Sequence, residues 1–474
     1  MIKHRSKIYT KTILTRAILI ASDAFMIVET FFIAYNLKIS FYQAGLLHIE
    51  TPHINTYIQY WYLLLIYLFF FYFYKIYNIR STFWQELKKI IKANLISTVF
   101  IFFILALLKI SQDVSRFIII AMGIISIILV PSVKYLTKYL LYRFGLWQAN
   151  SLIIADVDDE FETYLKNLDE NWYVGYRHGY IIKAHSAKDT DSLLELTREN
   201  LEEIIKANNI VLPILYKIDK NKFYDIFIKL DIFFDNIKLI PDLHSLFVNN
   251  ISIEGDGENL LINFNNNLLK LNNRIIQYLF NKSASIIIGI LISPLLLIIT
   301  ILIKLDSKGP VIYKAGRIGY KGKDIFVYKF RTMFGDADEK LEELLSTSVE
   351  LRKEFEENFK LKDDPRVTRI GRFLRKTSLD ELPQIFNVLK GEMNLVGPRP
   401  IVREEVMKYG EAFYELIKVK PGMSGLWQIS GRNDVDYERR VQLDLFYIKN
   451  WSLWMDITIL LRTFIVVMQG RGAY

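Results

Sequence analysis

Residues 285–303 run for nineteen positions without a charge, and both flanks of that run are basic. As a helix the segment is long enough to cross ~30 Å of hydrocarbon. Two features oppose a plain span. Pro294, preceded by Ser293, removes a helical hydrogen bond and crowds the previous turn, at about 3 kcal/mol in an unbroken helix. Arg274 and Lys282 precede the run, and Lys304, Lys308, Lys314, Arg317, Lys321 and Lys323 follow it. Cations on both sides favour both ends in the cytoplasm. A re-entrant helix that breaks at Ser293 and Pro294, dips into one leaflet and returns, satisfies both. The alternative, a kinked fifth span, places the basic C-terminal region outside the cell.

Four further apolar stretches come earlier, at 17–35, 60–74, 90–108 and 117–136. The first, third and fourth are near the ~20 residues of a spanning helix. The second is shorter and borrows Tyr57 and Tyr77 as interfacial anchors. Lys3, Arg5, Lys7, Lys11 and Arg16 precede the first stretch, and Lys75, Arg80, Lys88, Lys89 and Lys92 lie in the second loop. Lys134, Lys138 and Arg143 mark the exit of the fourth. The first loop holds only Lys38 against Glu50. The positive-inside rule therefore places both ends of a four-helix bundle, residues 1–145, in the cytoplasm. A cleaved signal peptide fits poorly, because Asp23 and Glu29 interrupt the run. Those two acids are expected to lie near an interface or to pair inside the bundle rather than to form a site.

The chain is 51% hydrophobic yet 23% charged, which fits a protein part membrane and part soluble. Its net charge of +9 suits lipid headgroups or nucleotide phosphates. It shows no helix-turn-helix, RNP or zinc-finger pattern, so nucleic acid is not expected as a partner. The absence of cysteine excludes thiol catalysis and thiolate metal sites, and six scattered histidines argue against a His-based metal centre.

Residues 146–268 alternate strand and helix patterns, with strands expected at 151–155, 180–183, 209–213 and 236–240 and helices at 192–206 and 222–233. That alternation predicts a parallel, Rossmann-like α/β sheet. The turn after the first strand, Ala155-Asp-Val-Asp-Asp159, is acidic and has no glycine, which opposes a pyrophosphate. Regulation or self-association, as a homodimer, is the expected role. Residues 252–267 are expected to form a linker or hairpin. Residues 269–474 form the third region. Strands are expected at 309–313 and 325–330 around Gly319–Gly322 and a charged helix at 336–360. A helix at 374–389 is expected to carry Asp380 and Glu381, and an interfacial or core helix to lie at 450–462.

Asp380 and Glu381 are adjacent acids between arginine-rich flanks: Arg366, Arg369, Arg372, Arg375 and Lys376 before, Arg399 after. Such a setting suggests a site for a polyanion, such as a metal-bound diphosphate. An acid pair alone is more often a helix N-terminal turn. Here it belongs to an ordered set of blocks. They are the Ser293-Pro294 break, Lys329-Phe-Arg-Thr-Met333, Asp364-Pro-Arg-Val-Thr368, Thr377-Ser-Leu-Asp-Glu-Leu-Pro-Gln384 and Gly391-Glu-Met-Asn-Leu-Val-Gly-Pro-Arg-Pro400. Pro421-Gly-Met-Ser-Gly-Leu-Trp-Gln428, Ser430-Gly-Arg432 and Asn450-Trp-Ser-Leu-Trp454 follow.

On these blocks the chain resembles the bacterial sugar transferases, the polyprenyl-phosphate hexose-1-phosphate transferases, in their long form. The Gly472-Ala-Tyr474 tail is most similar to the members that transfer galactose 1-phosphate. The resemblance implies a UDP-sugar and undecaprenyl phosphate as substrates and Mg²⁺ as cofactor. It implies a location at the bacterial inner membrane, with the catalytic domain facing the cytoplasm. It also implies Asp380 as nucleophile, Glu381 with Asp380 as metal ligands, and Lys329, Arg375 and Arg399 as substrate contacts. Arg331 joins them as a further substrate contact, with Arg403 and Arg432 as weaker candidates. Glucose or an acetamido sugar in place of galactose leaves the chemistry unchanged. A non-catalytic membrane scaffold is disfavoured by the intact acid pair, and a transporter by the absence of an internal repeat.

Overall fold

The computed structural model describes residues 2–47, 53–77, 80–109, 114–155, 157–183, 198–218, 220–234, 236–240, 251–256, 259–264, 267–335, 337, 346, 364–430 and 436–468. The expected charged helix at 336–360 lies almost wholly outside them. The chain packs as two units, Met1–Asp242 and Leu243–Tyr474. The expected bundle and α/β region thus share one unit.

Among the described residues, four helices are long and apolar enough to cross a membrane: Lys11–Gln43, Phe83–Leu107, Arg116–Arg143 and Leu271–Asp306. Three belong to the N-terminal bundle. Its second apolar stretch, Trp61–Phe73, is a shorter helix, too short to count with them. Asp23 pairs inside the bundle, 2.5 Å from Lys134, and Glu86 pairs with Lys138, with all four side chains almost fully buried. Two acids and two lysines in one apolar interior offset each other's desolvation, whereas removing one partner strands a buried charge. The same cluster reaches the α/β region, where Tyr173 donates its hydroxyl to Glu86 at 3.0 Å.

That region is a parallel sheet of β1 (Ala149–Ala155), β2 (Tyr176–Lys183), β3 (Ile210–Tyr216) and β4 (Lys238–Ile240), in the order β2-β1-β3-β4. β1 is central and buried on both faces, which is why its sequence is a continuous apolar run rather than an alternation. Helices Phe161–Glu170, Arg198–Ala207 and Lys220–Asp231 separate the strands in sequence.

The second unit opens with an antiparallel hairpin, β5 (Ile251–Asp256) and β6 (Asn259–Phe264), where the sequence predicts a linker or hairpin. The helix Leu271–Asp306 follows and continues through Ser293 and Pro294. The predicted break is therefore not an interruption of the helix. The Ser293 hydroxyl donates to the Ile290 carbonyl at 2.8 Å. This is the acceptor that Pro294, lacking an N–H, leaves without its usual i→i−4 donor. Both halves of this helix pack on the same unit. Asn281 Oδ1 accepts from the Leu395 amide at 2.6 Å, and Asp306 Oδ2 accepts from the Ile370 amide at 3.2 Å. Ile299 and Ile303 bury against Phe330 and Leu374. Between those anchors Ile286, Ile287, Ile290, Leu291, Leu297 and Ile298 are exposed.

β7 (Ile312–Ile318) and β8 (Asp324–Phe330) form the predicted antiparallel hairpin, with the first strand starting three residues later and running five residues further than the expected 309–313. A short parallel pair, β9 (Asn394–Val396) and β10 (Gly422–Ser424), sits beneath helices Tyr437–Asn450 and Leu453–Met468. Trp451 is core, not interfacial: it is 2% exposed and its indole N–H donates to Asp456 at 3.0 Å.

Candidate active site

The expected single helix over the acid pair resolves into three pieces. Helix Arg369–Thr377 begins at Thr368, whose hydroxyl accepts from the Gly371 amide at 2.9 Å. It ends at Ser378 in the left-handed region, φ 56°. A left-handed residue is the usual helix stop, but glycine is its usual occupant, so Ser378 holds mild strain next to the acids. A 3₁₀ turn, Leu379–Gln384, then carries Asp380 and Glu381, with Pro383 inside it, and helix Ile385–Lys390 follows.

Strand β8 faces this turn. Phe330 points into the core with Leu374. Its neighbour Lys329 therefore points the other way. Its ammonium donates to Glu381 Oε1 at 2.7 Å, with both side chains about a quarter to a third exposed. Arg375 is half-buried, and its Nε donates to the Thr332 hydroxyl at 2.9 Å just past the end of β8. Gly371 makes that arrangement possible. A Cβ there would stand 2.0 Å from the Thr332 carbonyl. Arg399, on the loop after β9, lies over the Trp427 ring at 5.4 Å.

Asp380 is half-buried between these cations. Burial pushes its carboxyl up to about 6, the charge of Glu381 adds to the rise, and Lys329 and Arg375 oppose it. Desolvation outweighs the surrounding cations, yet the group is ionised above about pH 6. Burial lowers the Arg375 and Arg399 guanidinium values, with Asp380 opposing the effect at Arg375 and Glu381 opposing it at Arg399.

The structure thus gathers Lys329, Arg375, Asp380 and Glu381, and sets Arg399 within electrostatic reach of Glu381. It does not bring Arg331 to them. That residue lies past the end of β8, is 8% exposed, and spends its guanidinium on the Ser307 and Lys308 carbonyls at 2.7 and 2.8 Å. Gly309, at φ +124°, leaves it room. Here Arg331 clamps the end of the long helix, and because β8 ends at Phe330 it shares no strand face with Lys329. Arg366 is likewise committed, in a two-pronged pair with Asp364 at 2.6 and 2.8 Å. Arg403 makes an exposed surface pair with Asp324, and Arg432 lies outside the described residues. Arg369, Arg372, Lys376 and Phe373 are exposed on one short helix. Sequence reasoning missed Thr332, which sits inside one of the blocks as an ordinary polar residue yet holds Arg375.

An acid pair on a tight turn, flanked by a lysine and two half-buried arginines in the same unit as a long apolar helix, has the charge arrangement that suits phosphoryl groups. A family model for bacterial sugar transferases matches residues 272–470. The chain is 37% identical to the undecaprenyl-phosphate galactose phosphotransferase of Salmonella typhimurium over 84% of each chain. It is 36% identical to the UDP-galactose-lipid carrier transferase of Erwinia amylovora over 84% of each. It is 41% identical to a UDP-glucose:undecaprenyl-phosphate glucose-1-phosphate transferase of Klebsiella pneumoniae, over 43% of this chain and 42% of that one. The protein belongs to the bacterial sugar transferase family.

Proposed function

We propose that the protein transfers hexose 1-phosphate, with galactose as the first candidate, from a UDP-sugar to undecaprenyl phosphate and so initiates polysaccharide synthesis. One observation carries the chemistry. Asp380 is a desolvated carboxylate, raised to about 6, held next to Glu381, Lys329 and Arg375. A carboxylate that is poorly solvated yet ionised near neutrality is a competent nucleophile toward phosphorus. Its oxygen attacks the sugar-bearing phosphorus, the bond to the second phosphate breaks, and UMP leaves. The lipid phosphate oxygen then attacks the same phosphorus and frees the Asp380 carboxylate. One phosphate-sized site serves both steps, and cations supply the charge neutralisation that phosphoryl transfer requires.

Among the described residues no cluster of three or more metal-ligating side chains exists. Two neighbouring carboxylates nevertheless suit Mg²⁺, which binds through one or two carboxylates plus substrate phosphates. Asp380 and Glu381 would hold it, and when bound it supplies neutralisation of the diphosphate. Lys329 orients Glu381, and Arg375 and Arg399 are placed to receive phosphate oxygens.

The long helix supports the re-entrant reading. Its N-terminal half, through Asn281, and its C-terminal half, through Ile299, Ile303 and Asp306, pack on one unit. A plain span puts such ends on opposite sides of the hydrocarbon, whereas one folded unit that contacts both ends favours a single side. The exposed apolar middle dips into the inner leaflet, and the active site stays at the cytoplasmic headgroup plane where Arg369, Arg372 and Lys376 meet lipid. The order β2-β1-β3-β4 is that of a doubly wound sheet. It supports a Rossmann-like domain without a phosphate loop, serving self-association as a homodimer.

The test is UMP release from UDP-galactose, UDP-glucose and UDP-acetamido sugars, with undecaprenyl phosphate and Mg²⁺. Release from UDP-galactose is expected. Release only from another donor replaces the sugar, and release from none refutes the reaction.

A further inference from the structure

Arg440 is a largely buried arginine of the second unit with two guanidinium nitrogens that make no hydrogen bond among the described residues. It stands on helix Tyr437–Asn450, with its guanidinium over Trp427 at 4.7 Å and over Tyr437 at 5.2 Å. Arg399 lies over the same indole at 5.4 Å. Two guanidiniums on one ring repel. The Arg440 side chain is only 11% exposed, and its buried Nε and Nη2 have no hydrogen-bond partner among the described residues. Among the described residues Glu405 forms an ion pair with it, 3.6 Å from Nη2 and too long for a hydrogen bond. The other Glu405 oxygen accepts from the Val402 amide.

The remaining described neighbours act on the pair through charge and leave the Arg440 Nε and Nη2 without a hydrogen bond. Asp444 is buried, accepts from the Tyr409 hydroxyl at 2.9 Å, and interacts electrostatically with both guanidiniums without accepting a hydrogen bond from Arg440 Nε or Nη2. Glu381 is already on Lys329. Arg317 adds another positive charge near Arg399. The Trp427 indole N–H and the Tyr437 hydroxyl are also buried without hydrogen-bond partners among the described residues. Unsatisfied buried donors of this kind are costly unless something accepts from them. An arginine fork is shaped for the paired oxygens of a phosphate.

We propose that Arg440, stacked with Arg399 on Trp427, forms a second phosphate-oxyanion subsite beside the acid pair and binds a phosphate of one of the two substrates. The subsite deepens the phosphotransfer reading above and rests on it for the identity of the anion. The anion comes either from the nucleotide diphosphate or from the lipid phosphate.

The probe is inorganic pyrophosphate, titrated into the full chain in detergent. Arg440→Gln is expected to weaken binding by about ten- to a hundredfold, with the thermal midpoint within a few degrees of wild type. Glu405→Gln removes the competing carboxylate and is expected to tighten binding. In turnover, a raised KM for the UDP-sugar assigns the subsite to the donor, and a raised KM for undecaprenyl phosphate assigns it to the acceptor. Unchanged pyrophosphate affinity in Arg440→Gln overturns the subsite. If that variant does not fold, Glu405→Gln decides, and unchanged or weakened binding overturns it. Pyrophosphate binding that depends on Arg440, in a protein releasing no UMP from any UDP-sugar, leaves the subsite standing and removes the proposed reaction.

Discussion

Lys329 and Glu381 meet at 2.7 Å across 52 positions of sequence, and that contact ties the end of β8 to the 3₁₀ turn. The lysine is fixed by its strand, whose next residue is locked in the core. The acid is fixed by the left-handed stop at Ser378 and by Pro383. The pair therefore sets where Asp380 stands. It also leaves Asp380, rather than Glu381, as the acid not engaged by the lysine's hydrogen bond.

Asp380→Asn is expected to lower hexose-phosphate transfer by about a thousandfold or more, since the amide cannot act as the nucleophile. The fold should survive, because Asp380 is half-exposed and the change is isosteric. Quenched wild-type enzyme, incubated with donor alone, should carry one hexose phosphate on the peptide containing Asp380. A fully active Asn variant removes the nucleophile assignment.

Activity should depend on pH through the same group. The carboxyl is raised to about 6 by burial and by Glu381. Only the ionised form attacks, so transfer falls as pH drops through about 6 and levels off above it. Lys329 pulls this value down, so Lys329→Gln should move the inflection to higher pH as well as lowering the rate. The check is initial UMP release across the range. An inflection that stays in place in the lysine variant contradicts the coupling.

Gly371 offers a backbone test remote from any substrate. Its absent Cβ makes room for the Thr332 carbonyl, and Thr332 in turn holds Arg375. Gly371→Ala should destabilise the domain by about 1–3 kcal/mol and lower activity further by displacing Arg375. Gly316→Ala, with nothing within 4 Å of the new methyl, should leave stability within about 0.5 kcal/mol. Equal unfolding midpoints for the two variants refute the steric account.

Much of this was readable from the chain. The four parallel strands fall within a few residues of the expected positions, and β1 and β3, buried along most of their length, need little beyond hydrophobic length. The β7–β8 hairpin followed from its turn glycines. The acid pair was legible because Asp380 and Glu381 sit in a block with its own pattern. What failed has a common cause. Periodicity places Arg331 near Lys329, but β8 ends at Phe330, and beyond a strand end alternation no longer predicts direction. Arg366 looked like part of a basic surface, yet Asp364, two residues away, takes it. Pro294 looked like a helix break, but one serine hydroxyl is enough to satisfy the carbonyl it orphans. Arg440 depends on Trp427, Glu405 and Arg399, which meet only after folding.

The membrane disposition of the long helix can be tested directly, because the chain has no cysteine of its own. Labelling positions must be exposed and outside the packing contacts. Asn281 is unsuitable, since it is buried and accepts from Leu395. Leu271, 71% exposed at the helix start, and Lys308, exposed just beyond its end, are suitable. A straight helix of 36 residues is about 54 Å long, enough to put those two positions on opposite sides of a bilayer. The packing of both halves on one unit argues that it does not. Single cysteines at Leu271 and Lys308 should both react with an impermeant maleimide in inside-out vesicles, and neither in right-side-out vesicles. Reaction of the two from opposite faces makes Leu271–Asp306 a true span. It would also separate the acid pair from one of the two basic flanks that led to the re-entrant reading.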